Sequence, residues 1–434
     1  MRLRYPFTTL SCLLLAATLQ VHAAEPQHPF ALTAEQWHAL QNELRDLRER
    51  VSSLEEENQS LRDQKPAIIQ EETAPATPAL EPSNPFGQRV LLGGEGGLIY
   101  LDTGKNGATP NREFRVDEAR LFLDVLLTQD IYLFTELLLA ERERNDIALN
   151  TGELYVDIEN ILPEINDALT LNLRAGRFDI PFGEEYLRRD ANQNPLISHS
   201  LPDFWGIDEG LELFGMLGSV DYTVALQNGS TKTTRDGDPA KALTVRLGMH
   251  PTSWMRASVS AMRTGDLSTS KDRLSELWFG DAFIRSIGGT NTTTHFDAKL
   301  LQGDLSFDWS SGSLWLSGGV MDYADDDSAS RNERDVAFYV AEIVQDLTPK
   351  VYSALRYSGI EASKGIPVVG QGDFGSFFSP LLTENIWRLG LGAGYRFSDH
   401  VTTKAEYSVE RGELTNGKKL EARDQIGVGV SYDF

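Results

Sequence analysis

The sequence has almost no cysteine, a shortage of basic charge and no long hydrophobic run. Its one cysteine, Cys12, lies near the N-terminus, so the rest of the chain can form neither disulfides nor cysteine-ligated metal sites. Lys and Arg number 40 against 64 Asp and Glu, a net charge of −24, which argues against nucleic acid as a partner. No stretch approaches about eighteen consecutive apolar residues. This excludes a bundle of spanning helices but not a barrel of half-polar strands.

Residues 1–23 are typical of a cleavable secretory signal. Arg2 and Arg4 precede an apolar run over 10–19, and Ala23 ends the segment. Charged, apolar and small residues in this order characterise a signal peptide, and the apolar run is too short to span a membrane as a helix. We therefore expect an exported mature chain that lacks Cys12.

A heptad repeat within 31–63 predicts an α-helical coiled coil. Its flanking e and g positions carry complementary charges (Glu43/Arg48, Arg50/Glu55 and Glu57/Arg62), as in a parallel, in-register homo-oligomer. The repeat does not separate two chains from three, and a lone amphipathic helix is the alternative. Residues 64–88 hold five prolines and predict an extended linker. The apolar seam has Trp37, Leu44, Val51 and Asn58 at a and Leu40, Leu47, Leu54 and Leu61 at d.

From residue 89 to 434, segments that alternate in polarity predict sixteen strands. Tight connectors alternate with long ones, which is the plan of an antiparallel transmembrane β-barrel with both ends on the short-turn side. That side would face the periplasm, together with the coiled coil. The predicted strands are 89–102, 114–127, 131–143, 151–159, 169–179, 210–217, 219–228, 241–250, 254–264, 294–309, 313–323, 335–346, 350–361, 386–397, 401–411 and 423–434.

The last strand shows the pattern most clearly. One face carries Ile426, Val428, Val430, Tyr432 and Phe434, and the opposite face carries small or polar residues. A period of two predicts a strand, and about ten residues suffice to cross an outer membrane when tilted. We therefore predict lipid outside this strand and a polar lumen inside it.

The thirty-residue connector 180–209 is the candidate for a loop folded into the lumen. Opposite charges on the loop and the wall would set up a field across a narrow pore. The alternative is that the wall arginines only pair with lumen acids such as Asp124, Glu136, Asp157, Glu406 and Glu410. The loop candidates are Glu184, Glu185, Arg188, Arg189, Asp190, Asp203, Asp208 and Glu209, and the wall candidates are Arg120, Arg174, Arg246, Arg256, Arg356, Arg388, Arg396 and Lys404.

The segment Ala175-Gly176-Arg177-Phe178-Asp179-Ile180-Pro181-Phe182-Gly183 resembles the G-x-F-x-x-P-F-G segment of the phosphate-selective porin O and P family. The order of signal, coiled coil and sixteen strands is also similar. The resemblance implies trimeric anion channels, and it implies that Tyr432-x-Phe434 is read by the barrel-assembly machinery. Phosphate-selecting members carry a lysine cluster, whereas 180–209 has no lysine and is net acidic. We therefore do not extend phosphate specificity to this chain.

Weaker motifs do not change this interpretation. Ser198-His199-Ser200 offers a nucleophile and a base without an identifiable orienting carboxylate, and the period-two glycines Gly390, Gly392 and Gly394 thin the lumen face of a strand. We expect no enzyme activity, cofactor or metal. The sequence predicts a porin of the bacterial outer membrane that passes small hydrophilic solutes or ions. The alternatives are an envelope tether that binds peptidoglycan through the coiled coil, and a substrate-specific anion or sugar channel.

Overall fold

The computed structural model describes residues 89–105, 112–141, 146–162, 169–229, 239–268, 294–326, 333–368, 378–421 and 423–434. The predicted signal peptide (1–23), coiled coil (31–63) and linker (64–88) lie outside these residues. Those three assignments, and the oligomer that the heptad repeat indicates, therefore stay predictions.

The described residues form eighteen strands, of which β10 and β17 are only two residues long. The other sixteen correspond one by one to the strands predicted from the alternation of polarity. Their bounds are β1 Val90–Asp102, β2 Glu113–Thr128, β3 Ile131–Glu141, β4 Asp146–Ile158, β5 Asn172–Asp179, β6 Ile207–Leu217, β7 Val220–Gln227, β8 Ala242–Thr252, β9 Met255–Arg263, β10 Leu267–Ser268, β11 His295–Trp309, β12 Gly312–Asp325, β13 Arg334–Asp346, β14 Val351–Val368, β15 Phe378–Ser398, β16 Val401–Leu414, β17 Lys419–Leu420 and β18 Gln425–Asp433.

The sheet closes on itself where the first and last strands meet. β1 pairs antiparallel with β2 on one side and with β18 on the other, where Glu95 lies opposite Asp433. The amide of Gly94 donates to the carbonyl of Phe434 at 3.1 Å, and the amide of Phe434 donates back at 2.9 Å. β9 pairs with β11 beside the short β10, and β16 pairs with β18 beside β17. The fold is therefore the predicted all-β one, a closed sixteen-stranded antiparallel barrel.

The two faces of the strands differ as the alternation predicts. In β18, Ile426 and Val428 are 49% and 50% exposed, whereas Gln425 and Ser431 are 6% and 5% exposed. The same division holds in β16, where Tyr407 is exposed and its polar neighbours are buried. An arginine in the middle of a lipid-facing strand costs roughly 2–4 kcal/mol. An apolar outer band and a polar inner face are therefore the arrangement that a membrane barrel requires.

Most short connectors and most long connectors lie at opposite ends of the barrel. Two-residue turns at 129–130, 218–219, 253–254, 310–311 and 399–400 join strands at one end, here called the turn end. The other end, here called the loop end, carries most of the longer connectors, and the exception is 159–171, which joins β4 to β5 at the turn end. Among the described residues no helix is both long enough and apolar enough to cross a membrane.

β14 and β15 are longer than the sequence indicates. The predicted strands end at 361 and begin again at 386, but the structure continues pairing from Ile366 to Thr383 and from Val368 to Phe378. Lys364 and Gly365 have φ of 64° and 76° and mark an irregularity in the register, after which the hairpin continues. This part of the long connector 362–385 is therefore paired strand.

The inner face of the barrel is apolar near the loop end. On β11, Phe296, Ala298 and Leu300 are at most 3% exposed and form one cluster with Ile180 and Phe182 from the connector after β5. Farther along, the inner face of β11 becomes polar, with Gln302 and then Asp304. The lumen is thus polar toward the turn end and partly filled by apolar packing toward the loop end.

Candidate functional site

Segment 180–206, between β5 and β6, lies inside the barrel. The amide of Gly183 donates to Ser260 Oγ on β9 at 3.1 Å, and the amide of Ile197 donates to Glu406 Oε2 on β16 at 2.8 Å. These wall residues lie on inner faces of strands far apart around the closed sheet. A chain that bonds to both must cross the interior.

Gly183 allows the segment to turn inward. Its φ is +74°, and a Cβ built there would lie 2.4 Å from the side-chain nitrogen of Gln302. Any other residue would be strained at this φ and would displace Gln302. A single 3₁₀ turn, Glu185–Arg188, follows directly.

Strand β16 fixes the middle of the segment through two charged residues. Glu406 accepts hydrogen bonds from the amide of Ser198 at 2.7 Å and from its hydroxyl at 2.6 Å. Lys404 Nζ donates to the carbonyls of Ala191 and Asn194. Hydrogen bonds to charged groups are stronger than those between neutral groups, so this strand holds the segment firmly.

Two arginines of the neighbouring wall also hold the segment. Arg356 pairs with Glu342 at 2.6 Å and donates to the carbonyl of Ser198 and to Asn194 Oδ1. Arg388 pairs with Glu410 and donates to the carbonyl of His199 at 3.4 Å. These two predicted wall residues therefore contact the segment.

The period-two glycines of β15 provide the space into which the segment packs. A Cβ on Gly392 would lie 2.5 Å from Leu196 Cδ2, and one on Gly390 would lie 3.3 Å from Leu196 Cδ1. Leu196 is 2% exposed. The predicted thinning of the lumen face is confirmed, and its effect is to admit this leucine.

A buried ion pair stabilises the segment internally. Arg189 Nε donates to both carboxylate oxygens of Asp203 at 3.0 and 3.1 Å, and Arg189 Nη2 lies 3.2 Å from His199 Nδ1. The guanidinium lies 4.7 Å from the ring centroid of Trp205. Burial by itself raises the pKa of Asp203, but Arg189 and His199 outweigh it, so the net effect is a lowered pKa.

A second buried carboxylate, Glu185, lies nearby with the opposite shift. It accepts hydrogen bonds from the amide and hydroxyl of Ser200. Burial, followed by the charge of Asp203, raises its pKa, although Arg356 opposes the shift. The segment thus contains two acids that respond differently to pH.

On the opposite wall, Arg120 of β2 lies among four carboxylates. Its guanidinium is 3.1 Å from Glu118, 3.4 Å from both Glu95 and Glu136, and 3.5 Å from Asp190 of the segment. The contact with Asp190 links the segment to this wall. Arg120 is therefore both a wall residue and a partner of the inserted segment.

The base of the segment contacts β8 and β9. Arg256 is 3.0 Å from Glu184 and 2.8 Å from Asp221, and Arg246 is 3.5 Å from Glu184. Arg246 also lies over the ring of Tyr186, 5.4 Å from its centroid. Opposite charges of loop and wall thus meet here.

Two open spaces remain beside the segment. The first cavity, about 600 Å³, separates the segment from the inner faces of β2–β8 and is lined by residues that include Phe122, Glu136, Arg174 and Tyr186. The second cavity, about 710 Å³, lies toward the turn end and is lined by residues that include Arg256 and Arg396. Arg246 and Leu187 line both cavities.

The predicted site residues fall into four groups in the structure. One group belongs to the inserted segment itself: Glu184, Glu185, Arg188, Arg189, Asp190 and Asp203. Arg120, Arg246, Arg256, Arg356, Arg388 and Lys404 contact the segment. Arg174 pairs with Asp157 at 2.9 Å and Arg396 with Asp346 at 2.7 Å, as the alternative of structural pairing expects. Asp208 and Glu209 lie within β6, so the inserted connector is shorter than 180–209.

Several residues of the site were not predicted from the sequence. Tyr186, Leu187 and Trp205 line the first cavity, and Glu342 pairs with Arg356. Glu342 faces inward by the alternation of its strand, which could have identified it. For the aromatic residues the signal would have been their position in the inserted connector.

No protein-family model matches the sequence, and no curated protein matches it. Solved structures do share the fold. The outer membrane channel DcaP of Acinetobacter baumannii superimposes with a TM-score of 0.52 at 13% identity, over 80% of this chain and 97% of that one. OmpT of Vibrio cholerae, folded in vitro, gives 0.52 at 9% identity over 80% and 97%.

An anion-selective porin from Comamonas acidovorans gives a TM-score of 0.50 at 11% identity, over 80% of this chain and 99% of that one. The chain has the fold of a bacterial outer-membrane porin. Identities at this level establish the fold alone, and the narrower resemblance of 175–183 to the phosphate-selective family stays a prediction.

Proposed function

We propose that the chain is a porin of the bacterial outer membrane, through which small hydrophilic solutes or ions diffuse passively. The observation that carries this proposal is the inserted segment 180–206. It crosses a closed barrel that is apolar outside, and it leaves two charged cavities of about 600 and 710 Å³ beside it. A barrel with an apolar outer face and charged cavities inside is suited to a lumen that admits water. Transport would need no covalent step and no cofactor.

We further propose that segment 180–206 narrows the lumen and sets its charge preference. The segment is fixed on one side by Glu406 and Arg356 and approaches Arg120 and Arg256 on the other. A segment anchored at both walls gives a pore of defined width. Opposing charges at such a place select ions by sign.

We propose a homotrimer as the assembly. The heptad repeat of 31–63 supports a parallel homo-oligomer, and the trimer form in which OmpT of Vibrio cholerae has been solved supports three chains. Recognition of Tyr432 and Phe434 by the barrel-assembly machinery belongs to the same proposal. Phosphate selectivity does not, because the inserted segment contains no lysine.

Planar-bilayer recording of the purified protein under a salt gradient tests the proposal. We expect stepwise channel openings, closure in three steps for a trimer, and a reversal potential that gives the charge preference. Protein that is folded by circular dichroism but produces no conductance would contradict the porin function.

The structural tether is the alternative, and its argument rests on the heptad repeat. Deleting 24–88 separates the two roles. If conductance persists while the cell envelope weakens, the N-terminal part has a tethering function of its own. If neither changes, the tether is wrong, and the repeat at most sets the oligomeric state.

A further inference from the structure

A row of aromatic side chains runs across adjacent strands, and its members Phe122 and Phe134 line the first cavity. Phe122 of β2 stacks on Phe134 of β3 with ring centroids 5.9 Å apart, and Phe134 stacks on Tyr155 of β4 at 5.0 Å. Phe214 lines the same cavity from β6. Passive diffusion of hydrated ions does not require stacked rings on the lumen wall, so the row calls for another explanation.

The row already holds one cation. The guanidinium of Arg174 lies 4.0 Å from the ring centroid of Tyr155 and 5.4 Å from that of Phe214. Cations are attracted to aromatic faces by the negative charge of the ring surface. The remaining rings, Phe122 and Phe134, have no such partner among the described cation–ring pairs.

The first cavity also has a surplus of acidic groups. Arg174 forms two hydrogen bonds of 2.9 Å with Asp157, and Arg120 is shared among four carboxylates. Little basic charge is left over for an anionic solute at these positions. The lining contains three arginines, Arg120, Arg174 and Arg246, against six acids, Asp124, Glu136, Glu153, Asp179, Asp190 and Glu212.

Two of these acids keep acceptor capacity at the two ends of the aromatic row. Asp124 lies directly opposite Phe134 in the β2–β3 register and makes no hydrogen bond or ion pair within the described part of the chain. Glu212 is 6% exposed, and its Oε2 accepts no hydrogen bond there, with Arg174 Nη1 3.5 Å away. A buried carboxylate oxygen without a donor is costly unless a ligand supplies one.

We propose that the first cavity binds organic cations, solutes with an ammonium group on an apolar body. The ammonium lies beside Asp124, and the apolar body packs against Phe122 and Phe134. This inference rests on the proposed function, because the solute reaches the cavity through the lumen. An organic anion would meet the surplus of carboxylates instead.

Blockade of the channel current tests the inference. Single channels in potassium chloride are exposed to benzyltrimethylammonium, to benzoate or to benzyl alcohol at equal concentrations. We expect the ammonium compound to interrupt the potassium current reversibly and the other two to have little effect. Equal or stronger block by benzoate would overturn the inference.

Two variants locate the binding site. Asp124→Asn removes the charge, and Phe122→Leu removes the ring while keeping most of its volume. We expect each to weaken block by roughly fivefold, in line with a single cation–ring or ion-pair contact in a partly desolvated site. Asp308→Asn is the matched control, since Asp308 lies on β11 and lines neither cavity.

The outcomes separate this inference from the porin proposal. Channels that conduct potassium chloride normally but are not blocked, or whose block is unchanged in both variants, would overturn the cation site and leave the porin proposal standing. A complete absence of conductance in wild-type protein would overturn the porin proposal itself.

Discussion

Glu406 binds Ser198 twice, accepting a hydrogen bond of 2.7 Å from its amide and one of 2.6 Å from its hydroxyl. The two residues are 208 positions apart in sequence. Through this contact a wall strand near the C-terminus fixes a segment that begins at β5. The position of the segment is therefore a property of the closed barrel, and it can be tested by changing the wall alone.

The first prediction concerns Glu406→Gln. Glutamine offers one carbonyl oxygen in place of a carboxylate that accepts three hydrogen bonds. The interaction that holds the segment against β16 should therefore weaken by about 1–3 kcal/mol. We expect noisier single-channel currents, because the segment fluctuates more, and a lower unfolding temperature in detergent.

Glu384→Gln is the matched control, because Glu384 is exposed on β15. It should leave both measurements unchanged. Equal current noise in the Glu406→Gln variant and the wild type would mean that the segment does not border the conducting path.

The second prediction concerns pH and the pair Arg189–Asp203. The folded pKa of Asp203 lies below its ordinary value of 3.8. Its ionised form therefore stabilises the fold above about pH 4, and this contribution is lost as the pH falls through the folded pKa. Asp203→Asn should lower the free energy of unfolding by about 3 kcal/mol near neutral pH, because it leaves Arg189 buried without its partner.

Unfolding in detergent at a series of pH values measures this effect. The difference in the free energy of unfolding between wild type and Asp203→Asn should be largest near neutral pH. It should shrink as the pH is lowered below 4. Asp308→Asn, in an exposed position, should show no such difference. If this difference in the free energy of unfolding stayed constant across the whole pH range, an ionised Asp203 paired with Arg189 would be contradicted.

The third prediction tests which face of the strands meets lipid. Leu391 is 58% exposed near the middle of β15, and arginine there should destabilise the barrel by roughly 2–4 kcal/mol. Leu347→Arg, on a connector at the turn end where the leucine is 61% exposed, should have little effect. Reversible unfolding from lipid vesicles gives both values, and similar costs at the two positions would argue against a lipid-facing β15.

Alternation of polarity was sufficient to predict all sixteen long strands, because each strand has lipid on one side and the lumen on the other. It failed for the second half of the hairpin β14–β15. There Ile366 pairs with Thr383 beyond the region where polar and apolar residues alternate. The strands stay paired although lipid on one side and lumen on the other no longer impose that alternation on the sequence. Strand ends depend on partners far away in sequence, which a local pattern does not contain.

The charges of the site were predicted better than their contacts. The sequence identified Arg356 as inward-facing, but its bond to the carbonyl of Ser198 depends on the path of the inserted segment. That path is set by Gly183, by the room that Gly392 leaves for Leu196, and by Glu406 together. These positions are far apart in the sequence, and only the closed barrel brings them together, so the sequence alone does not predict their contacts.

The last prediction concerns the C-terminal residue. Phe434 exchanges two backbone hydrogen bonds with Gly94, while its side chain is 63% exposed. Phe434→Ser keeps the backbone pairing and removes only the aromatic ring. If the ring serves as an assembly signal, the variant should refold in detergent micelles with the stability of wild type to within about 0.5 kcal/mol, as surface substitutions usually do. In cells its yield in the outer-membrane fraction should fall several-fold.

Leu217→Ser, which changes another exposed apolar residue at the turn end of a strand, is the control and should leave that yield unchanged. A loss of stability in micelles equal to the loss in cells would show instead that Phe434 acts in the folded barrel and not in its assembly.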